Sequence, residues 1–139
     1  MSRRGFLPAY SYALVLLILS SLPGSEIEKI QLYPENLFLR VILSDPFAHF
    51  FVHALLGLLI CRGFYRESGG SVPLGKVALF AVGYGLLMEV YQGLLPWRSF
   101  GLDDLVWNTA GVLFVVAVIG ISRGLGNCFW PRMDADKHG

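Results

Sequence analysis

Long apolar stretches alternate with short polar ones along the chain. The first runs from about Leu7 to Leu22 and ends at Pro23-Gly24, the second from Pro46 to Cys61, the third from about Leu74 to Leu95, and the fourth from Leu105 to Ile121. Pro96 stops the third, because proline lacks the amide hydrogen that a continuing helix needs. Crossing a hydrocarbon core takes roughly 20 helical residues, so three of the four spans lean on interfacial residues to complete them. A soluble bundle would require a polar stripe on every helix, and these segments offer almost none. The pattern therefore predicts an all-α fold: a polytopic membrane protein built as a bundle of four transmembrane helices, at about 7–22, 46–61, 74–95 and 105–121.

Between the first two spans, Ser25 to Ser44 begins polar and ends in Leu37-Phe38-Leu39-Arg40-Val41-Ile42-Leu43. That end either lies along the membrane surface or extends the second helix. Residues 133–139 read as a disordered tail.

Composition agrees with this picture. Hydrophobic residues make up 55% of the 139 residues and charged ones 15%, against about 25% charged in soluble proteins. The length fits one domain, 1–139, and no repeat or low-complexity segment breaks it. A net charge of +1 without a basic stripe argues against nucleic acid as a partner, and the lipid bilayer takes its place. Cys61 and Cys128 are too few for a disulfide framework and are expected as free thiols. No cofactor is implied. Arg3-Arg4 before an apolar run resembles a twin-arginine export signal. With no small-x-small cleavage site after it, the pair reads instead as the cytoplasmic anchor of a first membrane helix.

Lysine and arginine placement sets the orientation. With the N-terminus inside, Arg3, Arg4, Arg62, Arg66, Lys76, Arg123, Arg132 and Lys137 are cytoplasmic and Lys29, Arg40 and Arg98 are outside, eight against three. Both termini are then cytoplasmic, in the inner membrane.

This topology gathers unusual polar residues at one depth. Asp45 and His49 begin the second span, Glu89 and Gln92 end the third, and Asn108 lies one turn into the fourth. Arg98, Ser99, Asp103 and Asp104 occupy the loop between the last two. Glu89 is the strongest signal: it sits about 10 Å of helix from its span's end, and a carboxylate at that depth costs up to about 3 kcal/mol on insertion scales. Arg98 is its expected partner. Gln92 follows on the same helical face, where its amide has either a ligand or a neighbouring helix to bond.

Asp45, His49 and His53 repeat every fourth residue and line one face. Asp45 before Pro46 also reads as a helix cap followed by proline in the first turn. His49 is a candidate general base or proton carrier. With His53, and Glu89 as a third ligand, it is a weak candidate for zinc, although an ordinary hydrogen-bonded interior histidine explains His53 as well. One of Asp103 and Asp104 is expected to cap the fourth helix. Gly83, Gly85 and Gly111 are small enough to admit close helix contacts.

Glu89-Val90-Tyr91-Gln92, then Pro96-Trp97-Arg98-Ser99, then Asp103-Asp104-Leu105-Val106-Trp107-Asn108-Thr109-Ala110-Gly111 resembles the signature of VanZ-like membrane proteins. That signature runs E-x-x-Q, a short loop with R-S, then D-x-x-x-N-x-x-G. Its earlier element, D-K-x-x-H, is matched by Asp45-Pro46-Phe47-Ala48-His49 with proline in place of lysine. His53 stands where an aromatic residue is expected. The resemblance covers about half the chain and implies four spans in this order. It also implies a link to resistance against the glycopeptide teicoplanin, with which the family's founding member is associated.

Three functional readings stay open. One is a site at the outer leaflet that binds or processes an amphiphilic envelope ligand, a lipid-linked cell-wall precursor or a lipoglycopeptide, with Arg98 on its phosphate or carboxylate. Another is an enzyme with His49 as base, Glu89 as acid or electrostatic partner, and Arg98 as anion stabiliser. No activated serine or cysteine is evident, and Ser99 lacks a base. The third is a structural subunit whose polar groups only join the helices. Capping needs neither His49 nor Glu89, which favours the first reading.

Overall fold

The computed structural model describes the backbone of residues 3–23 and 45–129, and the side chains of 4–23 and 46–124. A 3-10 turn, Arg3–Phe6, leads into α1 (Leu7–Ser20). Then follow α2 (Asp45–Glu67), α3 (Leu74–Gly93) and α4 (Leu102–Phe129). The expectations for Ser25 to Ser44, for the tail and for Cys128 lie outside the described residues. Cys61 is a buried free thiol.

All four expected helices are present, and the described residues hold no strand. Three are long and apolar enough to cross a membrane: Pro46–Glu67, Leu74–Gly93 and Leu102–Gly124. The first falls short, because α1 has 14 residues. At 1.5 Å per residue it reaches about 21 Å, against about 30 Å of hydrocarbon.

The helix boundaries follow from local chemistry. Pro8 and Pro46 sit in first turns, where a missing amide hydrogen leaves no helical bond unmade. Between α2 and α3 the chain reverses at Gly69 and Gly70, whose φ of 64° and 109° suit residues without a Cβ. The Gly70 amide closes the helix end on the Tyr65 carbonyl at 2.9 Å. α4 starts earlier than its apolar run suggests. The Leu105 amide already bonds the Gly101 carbonyl, so Asp103 and Asp104 both fall inside the first turn. Neither caps the helix; both face the positive end of its dipole.

The core lies where α2, α3 and α4 meet. Leu56, Val77, Ala81, Val112 and Val115 are buried there. α2 and α4 approach most closely at Gly111, where an added Cβ would overlap the Phe50 carbonyl. Gly85 likewise faces the Asn108 Cβ and the His53 ring, each 3.4 Å from where its own Cβ would sit. Gly83 meets nothing within 4 Å, so its expected role in close packing does not hold. The outer faces stay apolar: Leu14, Ile18, Leu79, Leu87, Leu113 and Phe114 are all exposed. Such a continuous apolar exterior has lipid, not water, as its natural solvent.

Candidate functional site

The site lies at the end of the bundle where α1 and α3 finish and α2 and α4 begin. Helical periodicity puts His49 and His53 one turn apart on the face of α2 that meets α3 and α4. The last two turns of α3 supply Glu89 and Gln92, and the second turn of α4 supplies Asn108.

Glu89 and Asn108 are each only 1% exposed. The Asn108 amide nitrogen donates to Glu89 Oε1 at 3.1 Å, and the Gly101 amide donates to Glu89 Oε2 at 3.3 Å. Both carboxylate oxygens therefore have partners, which is what makes a buried carboxylate tolerable. Arg98 is not among these partners, contrary to the pairing expected from the sequence. Its Nε donates to the Leu22 carbonyl at 3.2 Å, because the α3–α4 loop turns the guanidinium towards the end of α1.

Spending its NH₂ on the carboxylate leaves Asn108 with its oxygen for His49, whose Nδ1 lies 2.9 Å away. That nitrogen must carry the hydrogen, since the amide oxygen can only accept. His49 Nε2 then faces Asp104 Oδ1 at 3.7 Å. Asp104, His49, Asn108 and Glu89 thus form one polar chain linking three helices. His53 Nδ1 lies 3.2 Å from the His49 carbonyl, while its Nε2 is buried and has no partner among the described residues.

A cavity of about 220 Å³ opens beside this chain. His49, His53, Glu89, Gln92, Arg98 and Asn108 give it polar lining; Leu16, Leu19, Val52 and Met88 give it apolar lining. Of the residues picked from the sequence, these six meet at the cavity and Asp104 stands behind His49. Ser99 and Asp103 are exposed and do not line it. The side chain of Asp45 lies outside the described residues, so its expected capping role does too. Among the described residues no three of His, Cys, Asp and Glu are grouped to hold a metal ion. The zinc arrangement therefore finds no support: each histidine's Nδ1 is turned to an oxygen, and Glu89 to nitrogens.

Sequence reasoning missed the contribution of α1, whose Leu16, Leu19 and Ser20 wall the cavity. Its end is tied down by Ser21 Oγ with Tyr91 OH at 3.0 Å and by Trp97 Nε1 donating to the Ser21 carbonyl at 3.1 Å. Only the paired Tyr91 and Trp97, polar-tipped aromatics at a span's end, hinted at such contacts.

The family model for VanZ/LLP1 matches residues 9–123, which takes in every residue around this cavity. No curated protein and no solved structure matches the chain.

Proposed function

The chain belongs to the VanZ/LLP1 family, and on that premise we propose that it binds or processes an amphiphilic envelope ligand in the polar cavity beside Glu89. In this reading the protein sits in the inner, cytoplasmic membrane with both termini in the cytoplasm, so the cavity opens near the outer leaflet. The ligand is a lipid-linked cell-wall precursor or a lipoglycopeptide, and protection against teicoplanin follows from its capture or processing.

The observation that carries the proposal is the mixed lining of the cavity. Polar groups of His49, His53, Glu89, Gln92, Arg98 and Asn108 and apolar ones of Leu16, Leu19, Val52 and Met88 line the same cavity. Helix packing in membranes uses small residues and interhelical hydrogen bonds, neither of which requires a cavity. An amphiphile needs both kinds of lining, one for its headgroup and one for its chain. The Arg98 guanidinium suits a phosphate or carboxylate through its terminal nitrogens, since among the described residues only Nε is spent, on Leu22.

A second reading, an enzyme, draws on His49. Its Nδ1 hydrogen is fixed by Asn108 and its Nε2 faces Asp104, an arrangement suited to passing a proton. Thermal stability in detergent of wild type, His49→Ala, Glu89→Gln and Arg98→Ala, paired with teicoplanin sensitivity of cells, separates a functional site from a purely structural one. Arg98→Ala should melt near wild type and lose protection. If every variant that loses protection also unfolds early, the polar chain is a structural bolt and the ligand reading fails.

A further inference from the structure

His53 holds an atom that the polar chain does not use. Its Nδ1 lies 3.2 Å from the His49 carbonyl. A carbonyl oxygen has no hydrogen to give, so Nδ1 carries the ring hydrogen and Nε2 is left as a bare acceptor. The side chain is 5% exposed, Nε2 has no partner among the described residues, and the residue lines the cavity. Buried acceptors in native proteins are almost always satisfied. A donor that reaches the cavity, a water or a ligand group, would satisfy this one. The same ring packs against Gly85: its Cδ2 and Nε2 lie 3.4 Å from where a Cβ would be.

Arg98, which lines the same cavity, supplies the opposite requirement, an anion. Glu89 already has a donor on each oxygen, whereas His53 Nε2 has none among the described residues. Leu16, Leu19 and Met88 complete the description with apolar lining for a chain.

We propose that His53 Nε2 reads a hydrogen-bond donor on the ligand's headgroup, so that the cavity selects anionic phosphodiester amphiphiles whose head carries a hydroxyl or ammonium beyond the phosphate. This rests on the reading that the cavity binds an amphiphile, and it adds the chemical class.

Three soluble lipids with identical dioctanoyl tails test it: phosphatidylglycerol with hydroxyls, phosphatidylethanolamine with an ammonium, and phosphatidylmethanol with neither. Each is titrated into the purified full chain in neutral detergent by calorimetry. The wild type should bind at least one of the two donor lipids about fivefold tighter than phosphatidylmethanol, the worth of one net hydrogen bond. Which of the two it prefers identifies hydroxyl or ammonium. His53→Phe should bind all three alike, and Arg98→Ala should weaken all three together. Equal wild-type affinities for the three overturn the role of His53 and leave the amphiphile site standing. Absence of binding to any of them overturns both. If His53→Phe fails to fold, His53→Leu takes its place.

Discussion

At the scale of single residues, Glu89 and Asn108 are complementary in a way that can be inverted. Asn108 donates to Glu89 Oε1 and accepts from His49, while Gly101 donates to Oε2. Asn108→Asp keeps the acceptor for His49 but sets a second carboxylate against Glu89. Glu89→Gln leaves an amide NH₂ facing the donor of either Gly101 or Asn108. Each single change should destabilise by about 1–3 kcal/mol, the usual cost of an unsatisfied buried group. In the double variant the new amide donates to the new carboxylate and still accepts from Gly101. Stability should return to within about 1 kcal/mol of wild type, a strong coupling on a double-mutant cycle of denaturation in detergent. Additive losses would show that the hydrogen bonds are not as described. The sequence told that Glu89 and Asn108 share a depth. It offered Asn108 as a donor to Glu89 or to a cap, and the first is what forms; Arg98, the obvious partner by charge alone, is turned towards Leu22 by the path of the α3–α4 loop.

At the scale of elements, the closest approach is between α2 and α4. Gly111→Ala places a methyl group on the Phe50 carbonyl, backbone that cannot swing aside. It should cost about 2 kcal/mol or more, as overpacking of a tight contact does. Gly83 faces open space, so Gly83→Ala should be neutral or raise stability by up to about 1 kcal/mol through helix propensity. Parallel thermal melts in detergent check both, and equal behaviour would contradict the packing. Both glycines were legible as candidates for close contact. What separates them is which face of each helix meets a neighbour, and helices apolar all round give no periodic signal for that. The same absence of a stripe hid α1's place beside the cavity. The start of α4 was misjudged for another reason. The apolar run begins at Leu105, whereas the helix begins where the Gly101 carbonyl first finds an amide.

For the whole molecule, apolar run length and proline stops were enough to anticipate a four-helix bundle, since those features act without reference to tertiary contacts. The order of the helices, combined with the charge bias of the loops, also brought the polar residues to one end. Orientation across the membrane is a prediction of the account. In a chain carrying Cys61→Ala and Cys128→Ala, a thiol introduced by Ser99→Cys should react with a membrane-impermeant maleimide on intact cells. One introduced by Ser71→Cys should react only after permeabilisation. Both positions are exposed, at opposite ends of the bundle, so the reverse pattern would put the cavity on the cytoplasmic side. The central claim, that the cavity holds an amphiphile, meets its most direct test in native mass spectrometry of protein extracted from its own membrane in mild detergent. Wild type should retain an adduct of discrete mass, and Arg98→Ala, still folded, should lose it. The same lipid distribution on both proteins would contradict the claim and leave the polar chain as a device that only joins helices.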